Sequence, residues 1–234
     1  MQQTATRTIF VWDVHGCYSE LKKLIKTLKI THSDRVFFVW DLIFKWPKSL
    51  KVLKYIYKNK KQFKWVIWNK EHELFEAIKN KQYYSKTEKK LAKKLQNKYP
   101  KILEYMYSVP YYREENDFIL VHAWVVPWVD LDDQKKIDLC YLREFQWKPW
   151  YEYYSWPKKI IYGHWAVDWL QIHKYTIGLD SWCVYGWKLS AYILESWELI
   201  QINSKKMYKN PYKKAQNESR FQNIFKKIQA PLWK

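Results

Sequence analysis

Thr8-Ile-Phe-Val-Trp-Asp-Val-His-Gly-Cys17 is the stretch around which the fold of this chain is organised. The β-branched and aromatic residues Thr8–Trp12 predict a buried strand. Asp13 and His15 follow this strand directly, and Gly16 precedes a segment with helical periodicity. A carboxylate and an imidazole at the end of a strand are typical metal ligands, although an Asp-x-His pair is more often a turn with a hydrogen-bonded histidine. The pair alone leaves both interpretations open.

Two further strands end in the same way. Arg35–Trp40 is apolar and is followed by Asp41, and Phe63–Trp68 is followed by Asn69. Because a helical pattern comes after each strand, the sequence predicts an α/β fold with a parallel sheet, whose functional loops lie at the carboxyl ends of the strands. The helices are predicted at Ser19–Lys29 with Ser19 as N-cap, at Lys48–Lys58 behind Pro47, and directly after Asn69.

The second half of the chain adds two strands that end in histidine, Asp117–His122 and Lys159–His164. Before them, residues 79–107 are predicted as a lysine-rich helical insertion, whose charged face is interpreted as solvated in preference to a nucleic-acid patch. We expect one domain over residues 1–202 and a basic tail over 203–234. The other predicted elements are a short helix within 132–144, strands at 175–179, 189–194 and 199–202, and an amphipathic helix near 218–228.

Five predicted strand ends therefore carry candidate metal ligands. These are Asp13 with His15, then Asp41, Asn69, His122 and His164. Oxygen ligands mixed with imidazoles suit manganese, iron or zinc better than calcium. Two ions roughly 3.5–4 Å apart, with Asp41 between them, would clamp a phosphate and lower the pKa of a bridging water, so that hydroxide attacks near neutral pH.

Composition limits the class of protein. The 234 residues can bury a substantial core, and Cys17, Cys140 and Cys183 are too few and too scattered for a disulfide framework. The chain has no apolar run of membrane-spanning length and no signal-peptide pattern at its N-terminus, so we expect a cytoplasmic protein without a membrane partner. The net charge of +19 has two explanations, a polyanionic partner such as nucleic acid, or the A/T-rich codons of a low-GC genome.

Three longer runs extend the pattern beyond the ligands. They are Val121-His-Ala-Trp-Val-Val-Pro-Trp-Val-Asp-Leu-Asp-Asp-Gln134, Tyr162-Gly-His-Trp-Ala-Val-Asp-Trp-Leu-Gln171 and Ile177-Gly-Leu-Asp-Ser-Trp-Cys-Val-Tyr-Gly-Trp-Lys-Leu189. With the strand ends, they resemble metallophosphoesterases of the phosphoprotein-phosphatase type, and most closely the ApaH-like branch, which contains bis(5′-nucleosyl)-tetraphosphatases and serine/threonine phosphatases. The resemblance covers residues 8–202 and implies a calcineurin-like sandwich of two β-sheets packed face to face and flanked by helices.

The same resemblance implies a ligand set and two divalent ions, with manganese expected before iron or zinc. One ion would be held by Asp13, His15 and Asp41, and the other by Asp41, Asn69, His122 and His164. Lys45 stands where most relatives carry a phosphate-binding arginine. A lysine there still neutralises phosphate charge, but without the bidentate geometry of a guanidinium.

The chain departs from the family pattern at nine motif glycines, each of which is tryptophan here: Trp12, Trp40, Trp46, Trp68, Trp124, Trp128, Trp169, Trp182 and Trp187. Glycine serves at such sites where the backbone needs positive φ or close approach to a ligand. The whole chain has 16 tryptophans and only 4 glycines. We hypothesise that UGA encodes glycine in the source organism, so that these positions are glycine, whereas Trp150 is a true tryptophan encoded by UGG. The alternative is that the tryptophans are real and the site is degenerate.

Two further departures concern the general acid. Lys70 occupies the position of the family's leaving-group histidine, and Phe44 that of the aspartate which orients this histidine. His72 could replace it, although a histidine on a helix surface is the more common case. Without a general acid the rate falls by roughly 10²–10⁴-fold, least for leaving groups that need no proton. This favours phosphoanhydrides over alkyl phosphoesters.

Three functions follow from these patterns. The first is a dinuclear-metal phosphohydrolase that cleaves a dinucleoside polyphosphate or a related anhydride through a metal-bridging hydroxide, with a phosphorylated small molecule or nucleotide as substrate. The second is a Ser/Thr phosphoprotein phosphatase. The third is a catalytically weak metal-binding protein that holds RNA or nucleotides through its basic insertion and tail.

Overall fold

The computed structural model describes most of the chain. The described residues are 6–12, 14–39, 41–43, 48–83, 85–126, 128–141, 144–145, 148–155, 157–163, 170–179 and 182–210. Asp13, Lys45 and His164 lie outside this set, as do Phe44, most of the predicted basic tail and the predicted helix at 218–228.

The described residues form twelve strands and six α-helices. The strands are β1 (Thr8–Trp12), β2 (Arg35–Phe38), β3 (Phe63–Trp65), β4 (Tyr112–Glu114), β5 (Phe118–Val121), β6 (Glu144–Phe145), β7 (Lys148–Pro149), β8 (Lys159–Tyr162), β9 (Leu170–Ile172), β10 (Thr176–Leu179), β11 (Lys188–Ile193) and β12 (Glu198–Asn203). The helices are α1 (Tyr18–Leu28), α2 (Ser49–Lys58), α3 (Asn69–Lys79), α4 (Lys86–Lys98), α5 (Pro100–Tyr107) and α6 (Lys136–Tyr141).

Two five-stranded mixed sheets carry the fold. The first has the order β12-β11-β1-β2-β3, in which β1, β2 and β3 are parallel and β11 and β12 are antiparallel to their neighbours. The second has the order β4-β5-β8-β10-β9, with β5, β8 and β10 parallel. The parallel run β1-β2-β3 is the one predicted from the strand–helix alternation, and the second sheet completes the sandwich that the resemblance implied.

Aromatic residues join the two sheets. The ring of Phe118 in β5 lies 5.0 Å from that of Phe10 in β1 and 5.1 Å from that of Phe37 in β2, both edge to face. Every residue of β1 is buried, as its continuous apolar run predicted. The main core therefore lies between the sheets, and the carboxyl ends of β1, β2 and β3 meet at one edge of the first sheet.

Amphipathic helices cover this core. Helix α1 buries Leu21, Leu24 and Leu28 and ends at Lys29 in the left-handed conformation. The prediction of Ser19 as its N-cap was wrong, because the helix begins at Tyr18 and Cys17 is the N-cap residue, with no side-chain hydrogen bond. Within the described part of the chain, no helix combines the length and apolarity needed to cross a bilayer.

The predicted insertion at 79–107 consists of two helices and a turn. Helix α3 continues to Lys79, and α4 begins after Ser85, whose hydroxyl accepts a hydrogen bond from the Glu88 N–H (3.1 Å). Pro100 then begins α5, where it sacrifices no helical hydrogen bond. Strands β4 and β9, of three residues each, and β6 and β7, of two residues each, were not predicted.

Candidate metal centre

His15 and Asp41 lie together at the ends of β1 and β2. The His15 N–H donates to the Asp41 carbonyl (2.7 Å), and His15 Nδ1 lies 3.5 Å from Asp41 Oδ2. Both side chains are almost completely buried, at 2% and 5% exposure. Two polar side chains from different strands are thus brought together in the interior, as the strand-end pattern predicted.

Asn69 lies at the next strand end along the sheet. It is the first residue of α3, it is buried, and its carbonyl accepts a hydrogen bond from the Tyr141 hydroxyl (3.2 Å). Helix α3 thus starts beside the strand edge that carries His15 and Asp41. The first turn of a helix offers N–H groups and positive dipole potential, which favour an anionic ligand at this edge.

His122 follows β5 in the second sheet and is fully buried. Its imidazole is stacked on the indole of Trp68, with ring centres 5.9 Å apart and an interplanar angle of 26°. Gly163, which follows β8, donates its N–H to the His122 carbonyl (2.9 Å). Since Trp68 directly precedes Asn69, His122 of the second sheet lies beside the ligand edge of the first.

Glu71 is a site residue that sequence analysis missed. Its side chain is fully buried in the first turn of α3, and burial together with the charge of Asp41 raises the pKa of Glu71 well above its usual value. The backbone amides of Leu42 and Ile43 favour its charged form, yet neither carboxylate oxygen makes a hydrogen bond of normal geometry within the described residues. Only its place two residues after Asn69 could have singled out this glutamate, because its burial depends on the packing of α3.

Cys140 in α6 is a buried thiol near the same two carboxyl groups, Glu71 and Asp41. Burial, followed by the charges of Glu71 and Asp41, raises the pKa of the Cys140 thiol well above its usual value. Burial and mutual repulsion therefore disfavour the charged forms of these buried groups in the absence of a cation. Divalent cations are the ligands that such buried groups favour.

The donor set fits two divalent ions in its chemistry, since it contains imidazoles, a carboxylate and an amide oxygen. Among the described side chains, however, no three His, Cys, Asp or Glu groups are close enough together to hold one ion. Two of the six predicted ligands, Asp13 and His164, are outside the described residues, and so is the predicted phosphate ligand Lys45. The described residues bring His15 and Asp41 into contact, and they stack His122 on Trp68, the residue directly before Asn69.

His72 lies one turn into α3 among aromatic residues. Its Nδ1 is 2.9 Å from the Tyr111 hydroxyl, and its ring meets those of Tyr111 and Tyr141 edge to face. Burial lowers the pKa of His72. The charges of Glu76 and Glu73 oppose this shift, and that of Lys136 adds to it. His72 is therefore mostly neutral near pH 7, which does not suit the general-acid role considered for it.

Lys70 also has a defined partner. Its ammonium group lies 2.9 and 2.8 Å from the two carboxylate oxygens of Glu73, one turn along α3. The position at which the resemblance implied a leaving-group histidine is therefore occupied by half of an ion pair.

Tryptophans fill the interior next to these residues. Trp12 and Trp68 are buried, and the indole N–H of each has no hydrogen-bond partner among the described residues. Trp65, three residues before Trp68, donates its N–H to the Tyr105 hydroxyl (3.1 Å). A buried N–H without a partner costs about 1–3 kcal/mol. Trp65 thus occupies a site suited to tryptophan, whereas Trp12 and Trp68 do not.

Three other tryptophans have a backbone conformation that favours glycine. The φ angles of Trp128, Trp182 and Trp197 are 68°, 54° and 61°, and their side chains are 77%, 44% and 59% exposed. They make up half of the six non-glycine residues with positive φ in the described chain. Trp128 and Trp182 are among the nine motif positions, whereas Trp197, in the β11–β12 turn, was not identified from the motifs.

Comparison of the sequence with protein-family models and with curated proteins gives no match. Many solved structures are similar in fold, including the following three. A candidate diadenosine tetraphosphatase has a TM-score of 0.72 at 24% identity, over 87% of this chain and 96% of its own. A protein serine/threonine phosphatase from Saccharomyces cerevisiae has 0.57 at 13%, over 85% and 79%. A metallophosphoesterase from Sphaerobacter thermophilus has 0.55 at 11%, over 87% and 89%. These likenesses confirm the calcineurin-like sandwich.

Proposed function

We propose that this chain, which has the metallophosphoesterase sandwich, is a metal-dependent phosphohydrolase that cleaves phosphoanhydrides such as dinucleoside polyphosphates. The observation that carries the proposal is the buried contact between His15 and Asp41, at the meeting point of two parallel strand ends. The carboxyl ends of parallel strands are the usual place of ligand sites in α/β proteins. The buried carboxyl groups of Asp41 and Glu71 support divalent cations as the ligands, because a nearby cation would stabilise their charged forms.

The proposed site uses this chain's residues in three roles. Asp13, His15, Asp41, Asn69, His122 and His164 would hold two divalent ions, with manganese as the preferred ion. When bound, such a pair polarises a phosphate and supplies a hydroxide nucleophile near neutral pH. The backbone bond from His15 to Asp41 fixes the two ligand loops relative to each other. Lys45 would neutralise phosphate charge of the substrate.

The surroundings of α3 support an anhydride substrate. Lys70 is paired with Glu73, and the pKa of His72 is lowered by burial, so neither group is suited to protonate a leaving alcohol. A nucleotide polyphosphate leaves as an anion and does not require that proton. The loss of general-acid catalysis therefore costs an anhydride much less than the roughly 10²–10⁴-fold expected for an alkyl ester.

The test uses a variant in which the nine motif tryptophans are replaced by glycine, called the glycine form below. With Mn²⁺ it should hydrolyse diadenosine tetraphosphate, and the matched D41N variant should lose this activity. Activity on phosphoserine peptides with none on diadenosine tetraphosphate would support the Ser/Thr phosphatase instead, in line with the yeast phosphatase of similar fold. A folded glycine form that hydrolyses neither substrate would refute the proposal.

A further inference from the structure

Helix α4 presents one face made of lysine side chains. Its six lysines are all exposed, and we call them the lysine face: Lys86, Lys89, Lys90, Lys93, Lys94 and Lys98. They line a shallow groove together with Asn97. The single acidic residue of the helix, Glu88, is buried on the opposite side with Leu91, Ala92 and Leu95. The lysine face thus carries six positive charges without a carboxylate of its own helix.

The positive surface continues onto helix α2. The ammonium group of Lys54 lies 3.9 Å from the centre of the Tyr99 ring, at the junction of α4 and α5. A hydrogen bond from Lys54 and its charge lower the pKa of Tyr99, and the charges of Lys98 and Lys94 act in the same direction. Lysines of two helices, α2 and α4, therefore create a positive potential at the Tyr99 hydroxyl. Tyr99 is partly buried and its ring lies against Lys54, so this place offers positive charge to a bound polyanion.

Codon composition alone does not explain the lysine face. Lysine codons are richer in A than glutamate codons, so a low-GC gene favours lysine, but it does so along the whole chain. Helix α3 of the same chain carries Glu71, Glu73 and Glu76 beside only two lysines. The exclusion of acidic residues from the outer face of α4 is therefore a property of this surface.

The buried inner face of α4 argues against an anionic membrane and for nucleic acid as the partner of the lysine face. A helix that lies on a membrane needs a free apolar face, but Leu91, Ala92 and Leu95 are already buried against the protein. The lysines extend over twelve residue steps, or about 18 Å of helix. Phosphates in a nucleic-acid strand are spaced at about 3.4 Å along the duplex axis, so the lysine face can meet several of them at once.

We propose that the lysine face, with Lys54 and Tyr99, is a docking surface for the sugar–phosphate backbone of nucleic acid. It is independent of the metal centre, because none of its residues belongs to the ligand set. Binding through it requires no divalent ion and brings a nucleic-acid strand to the enzyme's surface.

The test measures the binding of the glycine form to a fluorescent single-stranded RNA and to a DNA duplex, without divalent ions, between low and physiological salt. The probe variant is K89Q/K90Q/K93Q/K94Q, and the matched control is K22Q/K23Q/K26Q/K29Q on the α1 surface, which removes the same charge. The probe variant should weaken binding on the order of 30-fold and lower the salt slope by about 3 for RNA. The control should change affinity by less than about threefold. Comparing RNA with duplex identifies which nucleic acid is preferred.

Diadenosine tetraphosphate hydrolysis should be unchanged in both variants, which shows that they are folded. If both quadruple variants weaken binding equally, only net charge matters and the proposal is wrong. It is also wrong if deletion of residues 211–234 abolishes binding while the probe variant binds normally. Binding to vesicles of anionic lipid but not to nucleic acid would likewise overturn it.

Discussion

Replacing Trp128, Trp182 and Trp197 by glycine should stabilise the protein relative to alanine at the same positions. All three have positive φ, where an L-residue pays about 1–2 kcal/mol for its Cβ atom. Glycine recovers this cost but loses about 0.5–1 kcal/mol more backbone entropy on folding. Alanine and glycine both remove the indole. The difference in stability between the two variants therefore contains no contribution from lost indole contacts, such as that between Trp197 and Lys159. Over three positions the triple glycine variant should exceed the triple alanine variant by about 2 kcal/mol.

The assay is urea unfolding of both triple variants under identical conditions, together with thermal melts. A difference of that size corresponds to a melting temperature about 4–8 °C higher for the glycine variant in a chain of this length. A control pair with glycine or alanine at Trp65, whose φ is not positive, should show the opposite order, since glycine only costs entropy there. A triple alanine variant that is as stable as the triple glycine variant would refute the claim that these turns are built for glycine.

Other predictions concern the interior and the site. Replacing Trp65 by alanine should cost about 3–5 kcal/mol in urea unfolding, because this indole is fully buried and bonded to Tyr105. A cost under about 1 kcal/mol would contradict its assignment as a true tryptophan. A glycine form that keeps Trp68 alone should bind Mn²⁺ more weakly than the full glycine form, because the indole stacks on His122; equal affinities by calorimetric titration would count against this. The pKa of His72 is lowered in the folded state, so its contribution to stability is complete above its unfolded pKa of about 6.5 and is lost as the pH falls through the folded value. H72Q should remove this part of the loss of stability on acidification, and identical pH profiles for the two proteins would show that His72 plays no part in it.

The strand-end positions of the candidate ligands were predictable because local sequence determines them. Continuous apolar runs define β1 and β2, and side chains that follow parallel strands meet at one edge of the sheet. His15 and Asp41 come together for this reason. Asn69 was likewise predictable without tertiary information, from its residue type and its place before a helical pattern.

Other features depend on packing between distant segments. Glu71 looks like any acidic residue in the first turn of a helix, and its burial follows from how α3 packs near Asp41. The split of the insertion into α4 and α5 could have been read from Ser85 and Pro100, which supply a cap and a first-turn proline. The short strands β4 and β9 form because the longer strands β5 and β10 offer them an edge to pair with. A segment of three residues is too short to show the alternating pattern that predicts a strand.

The backbone φ angles identify a tryptophan that motif comparison missed. Trp197 belongs to no motif, yet its φ of 61° places it with Trp128 and Trp182. We therefore expect UGA codons at all three positions and UGG at Trp65 and Trp150. A gene with UGG at Trp12, Trp40 and Trp68 would refute the recoding hypothesis.

The most direct test of the two-metal site is a calorimetric titration of Mn²⁺ into metal-free protein, with the glycine form and the tryptophan-bearing chain compared. The proposed ligand set predicts two ions per chain for the glycine form, loss of both or of the tighter one in D41N, and no specific binding by the tryptophan-bearing chain. Equal binding by the glycine form and D41N, or no binding by a folded glycine form, would contradict the assignment of Asp41 as the shared ligand of a two-metal phosphohydrolase.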